Sequence, residues 1–213
     1  MIPLKDFRPD IALSVGNIYE PIMDRAIVGA AIEFCDKTWS WNDWLNPLAV
    51  TPNVSEYELD YDNVNMVLIS LTEVYHDGKK VNPEPVANLN KYAGDWRKLI
   101  ALAPECYHLS NPNFIRVVPG FNDSATGQMT FRGAFKPHRK AKGLSDYLYN
   151  DYHDAIVNGA LYRLHSQKGN SWYSPADSAE AKIEFNKAVN LAKIVTRKSR
   201  TNGSVKIRIR GAA

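Results

Sequence analysis

Apolar residues recur at steps of three and four in three stretches of the chain, which predicts three amphipathic helices. The first opens at Pro21, because proline fits the first helical turn. The second opens at Ser145 and the third at Ser174, where a hydroxyl can cap free amides. The apolar stripes are Met23, Ala26, Ile27, Ala30, Ala31 and Phe34, then Leu148, Tyr152, Ala155, Ile156, Gly159 and Tyr162, then Ala181, Phe185, Ala188, Val189, Ala192 and Val195. We expect each stripe to be buried.

The second and third helices are predicted to form a helical hairpin. Lys168, Gly169 and Asn170 break the pattern between them, and Trp172 follows as an apolar plug over the joint. Gly159 lies inside the second helix, where glycine costs about 1 kcal/mol relative to alanine. Its presence predicts that another backbone approaches the helix closely there.

The pattern changes to short runs rich in branched and aromatic residues in the middle of the chain, which predicts strands. The runs cover residues 48–51, 57–59, 64–75, 114–118 and 128–134. Asp77-Gly78 is typical of a two-residue hairpin turn. Residues 86–92 favour a short helix, and the run 96–99 is ambiguous. Residues 1–19, with two prolines and a glycine, suit an arm or a loop better than a helix.

These elements predict an α+β fold. Its core is a three-helix bundle, formed by the N-terminal helix and the C-terminal helical hairpin, with a β-rich insertion and an extended C-terminal arm. The predicted parts are an N-terminal arm (1–19), the first bundle helix (20–45), the β-rich insertion (46–136), the helical hairpin (137–200) and the C-terminal arm (201–213).

The C-terminal arm alternates apolar and basic residues, which is the two-residue period of a strand. The alternating residues are Val205, Lys206, Ile207, Arg208, Ile209 and Arg210. A lone strand with one apolar face is not stable in water. We therefore expect the arm to bind a partner chain, by strand addition or by docking in a groove.

Charge is polarised along the chain. The net charge is +3, yet eight basic and no acidic residues follow Glu184, so the chain up to Glu184 carries −5. The C-terminal charges include Arg197, Lys198 and Arg200, and a second basic cluster contains Lys136, His138, Arg139, Lys140 and Lys142. The two clusters suit a surface that faces a polyanion. A solvated linker explains the second cluster equally well.

Candidate catalytic or metal-binding groups are few. The phosphate-loop, dinucleotide-binding and nucleophile-elbow signatures are absent from the sequence. His153 lies between two aspartates, but His165 is about 120° round the helix from it, so a solvated helix surface is the better interpretation. Acidic pairs (Glu56 and Glu58, Asp60 and Asp62) lie on one side of a strand, but turn-flanking charges explain them as well. We expect no enzyme, no metal and no cofactor.

Other residues bear on compartment and packing. Cys35 and Cys106 lie far apart without metal-ligand spacing, so buried free thiols in a reducing cytoplasm are expected. Trp39, Trp41 and Trp44 favour a seal between subdomains over a platform that stacks bases or sugars. We expect neither a membrane span nor an export signal, since the chain has no run of about 20 apolar residues and no basic flank at its start.

The order of several segments resembles that of the head-to-tail adaptor, or connector, proteins of short-tailed phages (podoviruses), the tail tubular protein A or gp4-like family. The resemblance runs over residues 20–200 and depends on collinear order. The segments are Ala31-Ile32-Glu33-Phe34-Cys35, Tyr57-Glu58-Leu59, Asp77-Gly78-Lys79, Ile115-Arg116-Val117-Val118-Pro119, Ala155-Ile156-Val157-Asn158-Gly159-Ala160 and Gly169-Asn170-Ser171-Trp172.

This resemblance implies a helical bundle with a β insertion, copied into a dodecameric ring beneath the portal protein of the virion. The ring would continue the channel for double-stranded DNA, bound non-specifically, and present its other face to the tail nozzle protein. In this picture the C-terminal arm docks on the portal through Val205, Ile207 and Ile209, while its basic residues meet carboxylates or DNA. The alternative is a monomeric DNA-binding module that uses the basic loop and tail.

Overall fold

Both the predicted helices and the predicted strands are present, so the fold is mixed α+β as the sequence indicates. The computed structural model describes residues 1–16, 18–62, 64–91 and 94–198. The helices are α1 (Arg8–Val15), α2 (Glu20–Thr38), α3 (Val86–Leu89), α4 (Asp146–His165) and α5 (Pro175–Arg197). The strands are β1 (Ile2–Pro3), β2 (Asn42–Trp44), β3 (Leu48–Ala49), β4 (Glu56–Glu58), β5 (Met66–His76), β6 (Lys79–Lys80), β7 (Asn82–Pro83), β8 (Ile100–Ala101), β9 (Cys106–Asn111), β10 (Phe114–Val118), β11 (Gly120–Phe121), β12 (Gln128–Pro137) and β13 (Gly143–Leu144).

The chain divides into two compact units. The helical unit comprises Met1–Ser40 and the chain from Gly143 onward, and the β unit comprises Trp41–Lys142. The β unit is therefore inserted between α2 and α4 along the sequence. Each unit has its own buried residues.

In the helical unit, the stripe predicted for α2 is buried along its whole length. The α4 stripe is also buried, except that Tyr152 and Tyr162 are half-buried. In α5 the stripe is buried as far as Ala192 except for the half-buried Ala188, but the prediction is wrong for Val195, which is 38% exposed. Val195 lies about 80° round the helix from Phe185, at the edge of the stripe.

Gly159 lets α2, α4 and α5 approach one another. A Cβ atom built at Gly159 would lie 2.8 Å from Cβ of Ala30 in α2 and 2.8 Å from Cε2 of Phe185 in α5. Cβ of Ala30 is bonded directly to the backbone of α2, so α2 and α4 approach closely at this glycine. Close packing of α2, α4 and α5 therefore requires a residue without a side chain at position 159.

Residues 1–19 contain a helix, α1, where the sequence analysis expected an arm or a loop. Pro9 lies in the first turn, where a proline causes no clash. Ile11 and Val15 are buried and are one turn apart, so one face of α1 packs inward. Packing of this short face, rather than a long apolar period, stabilises the helix.

The β unit contains a five-stranded sheet in which β2, β12, β5 and β6 pair in that order and β3 also pairs with β12. A second sheet pairs β4, β10, β9 and β7 in that order, and β8 and β11 form a parallel pair. The core includes the fully buried side chains of Val74, Phe121 and Phe131. Each of the five predicted runs overlaps a strand, namely β3, β4, β5, β10 and β12.

The Asp77-Gly78 turn between β5 and β6 confirms the predicted hairpin. Both residues have a positive φ angle, +46° at Asp77 and +77° at Gly78, as the favoured two-residue turn requires. Oδ1 of Asp77 also accepts a hydrogen bond of 2.9 Å from the backbone N–H of Gln128, which ties the turn to β12.

Candidate functional site

The basic loop, which we define as Lys136, His138, Arg139, Lys140 and Lys142, lies at the end of β12 in the β unit. The turn is fixed by His138. Its backbone carbonyl accepts a 2.9 Å hydrogen bond from Ala141, and its Nδ1 accepts a 3.1 Å bond from the N–H of Lys140. Arg139, Lys140 and Lys142 are exposed, so a rigid turn presents three cations to solvent.

The second basic group lies at the C-terminal end of α5, in the helical unit. Arg197 is the last residue of the helix, and Lys198 caps it by donating its backbone N–H to the carbonyl of Ile194 at 3.1 Å. Both side chains are exposed. Arg200 and the arm residues Val205, Lys206, Ile207, Arg208, Ile209 and Arg210 lie outside the described residues, so the docking of the arm stays a prediction.

The two basic groups belong to different units. From the sequence, the two groups suited one surface facing a polyanion, since linear order does not reveal the unit to which each group belongs. Each group must therefore be considered alone. In the basic loop, the backbone N–H of Lys140 is held by a hydrogen bond that it donates to the side chain of His138.

A surface that the sequence analysis missed lies on α5. Ile183, Leu191 and Ile194 are each more than half exposed. Together with Lys187 and Arg197 they define the α5 outer face. At 100° per residue, Ile183 and Ile194 lie roughly opposite Phe185. The signal was present in the sequence as a second apolar stripe on the same helix.

An acidic surface lies on α1 and the first half of α4, and His153 connects the two helices. Nε2 of His153 lies 3.4 Å from Oδ2 of Asp10, and its Nδ1 lies 3.4 Å from Oδ1 of Asp154. Leu13, one turn beyond Asp10, is 86% exposed. We call Asp10, Leu13, Asp151 and Asp154 the acidic α1–α4 surface.

The two histidines correct the expectation of a solvated helix surface. The ring of His153 stacks on Phe7 with a centroid distance of 5.0 Å, so it is half-buried. His165 is buried, and its Nδ1 donates a 2.8 Å hydrogen bond to the carbonyl of Trp172 in the loop before α5. Packing against neighbours decides both environments.

Glu33 is the centre of a polar network between α2 and α4. It accepts hydrogen bonds from Tyr162 and Arg163, and Nζ of Lys37 approaches its other oxygen at 2.6 Å. Burial by itself raises the pKa of Glu33, but the hydrogen bonds from Lys37 and Tyr162 and the charge of Arg163 outweigh it, so the pKa is lowered. Burial, followed by the hydrogen bond to Glu33, raises the pKa of Tyr162 to about 12.

The three tryptophans after α2 have different surroundings. Trp41 packs against Phe135 in the core of the β unit, with ring centroids 6.2 Å apart. Trp44 is more than half exposed, and the guanidinium of Arg132 lies 5.9 Å from its ring. Trp39 is also exposed.

Three of the four carboxylates in the acidic pairs have structural partners. Oε2 of Glu56 lies 3.5 Å from Nη2 of Arg116, and Asp60 accepts a 2.7 Å hydrogen bond from Asn46. The side-chain hydrogen bond from Asn65 lowers the pKa of Asp62. Ion pairs and hydrogen bonds near strand ends thus account for Glu56, Asp60 and Asp62, in agreement with their interpretation as charges that flank turns.

Within residues 1–16, 18–62, 64–91 and 94–198, no group of three or more His, Cys, Asp or Glu side chains is arranged to hold a metal ion. Neither cysteine is in a disulfide: Cys35 is buried, whereas Cys106 is only half-buried, and burial raises the pKa of its thiol. Among the helices that the structure describes, none has the length and apolar character needed to cross a bilayer.

Comparison with known proteins places this arrangement in context. The model of one protein family, described as SU10 adaptor protein, matches residues 4–208 of the chain. No curated protein matches the chain. The matched range includes both units and nearly the whole chain.

Proposed function

We propose, because this chain belongs to the SU10 adaptor protein family, that it forms a ring below the portal, which continues the DNA channel and attaches the tail. The family consists of phage head-to-tail adaptors, so the chain is a structural component of the virion. A structural adaptor family also points away from an enzyme.

The match to residues 4–208 carries this proposal, because it covers the helical unit and the β unit together. The gp4-like type that the sequence resembles has a helical bundle interrupted by a β insertion. In this chain the bundle would be α2, α4 and α5, with the β unit inserted after Ser40. We infer that the bundle forms the scaffold of the ring and that the ring is a dodecamer.

The basic loop suits a surface passed by DNA. Arg139, Lys140 and Lys142 are exposed on a turn that hydrogen bonds hold in place. Cations that contact phosphates give affinity without reading sequence. In the ring, this loop would line the channel or face a partner, and binding to the passing DNA would be non-specific.

The C-terminal arm would attach the ring to the portal. Its apolar residues Val205, Ile207 and Ile209 alternate with three basic residues, as in a segment that adds to a sheet edge or docks in a groove. The tail nozzle protein would bind the opposite end of the ring.

Electron microscopy of the chain mixed with the portal of its own phage tests this function. We expect rings stacked on the portal, and their symmetry gives the number of copies. A chain that lacks residues 201–213 should keep its helical circular dichroism but lose attachment, because the arm makes the contact. Equal attachment by the shortened chain would contradict the role of the arm. Single particles that never attach would contradict the adaptor function itself.

A matched pair of variants separates the two kinds of contact in the arm. Replacing Val205, Ile207 and Ile209 by Ser should remove attachment at every salt concentration, since apolar contacts are lost. Replacing Lys206, Arg208 and Arg210 by Ala should weaken attachment most at low salt, because salt already screens these charges in the unchanged chain.

A monomeric DNA-binding module is the second candidate, because the basic loop is exposed and rigid. Its signature is an affinity for DNA that falls steeply with salt, with a logarithmic slope of about 0.9 per phosphate contacted. Replacing Arg139, Lys140 and Lys142 by Ala should then abolish binding. Tight binding by an unattached single chain would favour this candidate over the ring.

A further inference from the structure

Helix α5 carries apolar side chains on two opposite faces. Phe185, Val189 and Ala192 are buried within the helical unit. Ile183, Leu191 and Ile194, on the α5 outer face, are each more than half exposed. A helix that is apolar on both sides normally has protein on both sides. The outer face therefore calls for a second occupant.

The charge of α5 restricts what that occupant is. From Phe185 to its end at Arg197 the helix carries Lys187, Lys193 and Arg197 and no acidic residue. Because Nζ of Lys187 lies 2.6 Å from Oε1 of Glu184, the excess positive charge lies toward the C-terminal end of the helix. An occupant of the α5 outer face should combine apolar contacts with negative charge, since like charges across an interface are costly.

The same chain offers such a surface in the helical unit. The acidic α1–α4 surface contains the exposed leucine Leu13, one turn beyond Asp10 on α1, and the side chain of Asp154 is 99% exposed. From Asp146 to Tyr162, α4 contains three aspartates and no lysine or arginine. Charge and apolar character are thus complementary between two surfaces of one chain.

We propose that copies of this chain associate head to tail, with the α5 outer face of one copy docked on the acidic α1–α4 surface of the next. This inference rests on the proposed function, and it assigns the contact between neighbouring copies of the ring. Because the two surfaces differ, the contact is heterologous, and repeating it generates a ring if the rotation closes. Leu191 and Ile194 would pack against Leu13, and Arg197 would meet Asp10 or Asp154.

Two other occupants fit less well. Parallel pairing of two α5 outer faces would place Arg197 of both copies against one another, and antiparallel pairing is tested by the acceptor variant below. The segment 199–213 of the same chain is apolar at alternate positions but has four basic residues, Arg200, Lys206, Arg208 and Arg210, and no acidic one. Like charges disfavour both arrangements.

Two variants, each disabling one surface, test the proposal by sedimentation of the purified full chain. The donor variant carries Leu191→Glu and Ile194→Glu, and the acceptor variant carries Leu13→Lys. All three side chains are exposed, so helical circular dichroism should not change. The wild type should associate more as its concentration rises, while each variant alone should remain a monomer.

Mixing the variants gives the decisive result. The donor variant retains its acidic α1–α4 surface and the acceptor variant retains its α5 outer face, so one junction forms and growth then stops. We expect the average mass to double to that of a one-to-one dimer. Leu102→Glu is the matched control, because Leu102 is 59% exposed in the β unit and Leu191 is 65% exposed in α5. The control should associate as the wild type does.

Several outcomes would overturn the proposal. A wild type that is monomeric at every concentration would do so, as would an acceptor variant that associates normally, which indicates pairing of two α5 outer faces. A wild type that associates only after residues 199–213 are removed would show that this segment covers α5 in its own chain. Attachment to the portal is scored separately, so a monomeric chain that still attaches refutes this inference and leaves the adaptor function intact.

Discussion

At the scale of single residues, neighbours decide what each polar side chain does. Glu33 is an ordinary helical glutamate in the sequence, yet in the structure it accepts hydrogen bonds from Lys37, Tyr162 and Arg163. Tyr162 and Arg163 lie about 130 residues further along the chain. Such a network joins α2 to α4 through one carboxylate, and it can be tested by its response to pH.

Replacing Glu33 by Gln should destabilise the helical unit by about 1–2 kcal/mol at neutral pH, since charged hydrogen bonds are lost. The folded-state pKa of Glu33 is lowered, so its contribution is full above the unfolded pKa and disappears as pH falls through the folded pKa. The difference between wild type and variant should therefore shrink in acid. Urea unfolding at neutral and acidic pH, followed by helical circular dichroism, measures it.

Glu184→Gln is the control for this experiment. Glu184 contacts Lys187 at 2.6 Å on the exposed side of α5, and an exposed ion pair of this kind stabilises by about 0.5 kcal/mol or less. Its removal should have little effect at either pH. If Glu33→Gln lowered the stability of the helical unit as much in acid as at neutral pH, the charged hydrogen bonds of Glu33 would not be the cause of the loss.

At the scale of elements, close packing determines how the helices of the helical unit meet. Gly29 in α2 and Gly159 in α4 are both glycines inside helices, so the sequence treats them alike. A Cβ atom at Gly29 would lie 3.6 Å from Cζ of Arg163, which is an ordinary contact, whereas one at Gly159 would lie 2.8 Å from Ala30 and Phe185. The two positions therefore predict opposite effects.

Gly159→Ala should destabilise the chain, because overpacking costs about 1–3 kcal/mol and exceeds the gain in helix propensity of about 1 kcal/mol. Gly29→Ala should stabilise it by up to about 1 kcal/mol, since only the propensity changes. Urea midpoints of the two variants compare them directly. Equal shifts of the same sign would show that contact at Gly159 does not determine the packing of α4.

At the scale of the whole molecule, the chain forms two units, one of which is continuous in sequence. The β unit, Trp41–Lys142, contains the fully buried residues Val74, Ile115 and Phe131 that form its own core. The helical unit is assembled from two segments on either side of it. A unit with a self-contained core should fold without the rest of the chain.

A fragment of residues 41–142 should therefore unfold cooperatively in urea and show dispersed amide signals in NMR spectra. Phe131→Ala in the same fragment should prevent folding, because truncating a buried phenylalanine costs about 3–5 kcal/mol. An unfolded fragment would mean that the β unit depends on the helical unit. If the unchanged fragment and its Phe131→Ala variant unfolded alike in urea, the core around Phe131 would not be what stabilises the β unit.

The sequence predicted the elements whose signals are local and repeated. The α2 stripe and the Asp77-Gly78 turn were both confirmed, because a periodic apolar face or a positive φ angle leaves a direct mark in residue type. The helix α1 was missed, since its buried face is only one turn long. Val195 was assigned to the wrong face for a related reason, as it lies at the edge of its stripe.

For the candidate site, the sequence identified the basic residues and the uneven distribution of charge along the chain, since charge is a property of each residue. Only the tertiary structure decided that the basic loop and Arg197 belong to different units, and that Ile183, Leu191 and Ile194 remain exposed on α5. It also brought Asp10 and Asp154 to one histidine. The physical reason is that burial and contact depend on packing between residues distant in sequence, which no local period encodes.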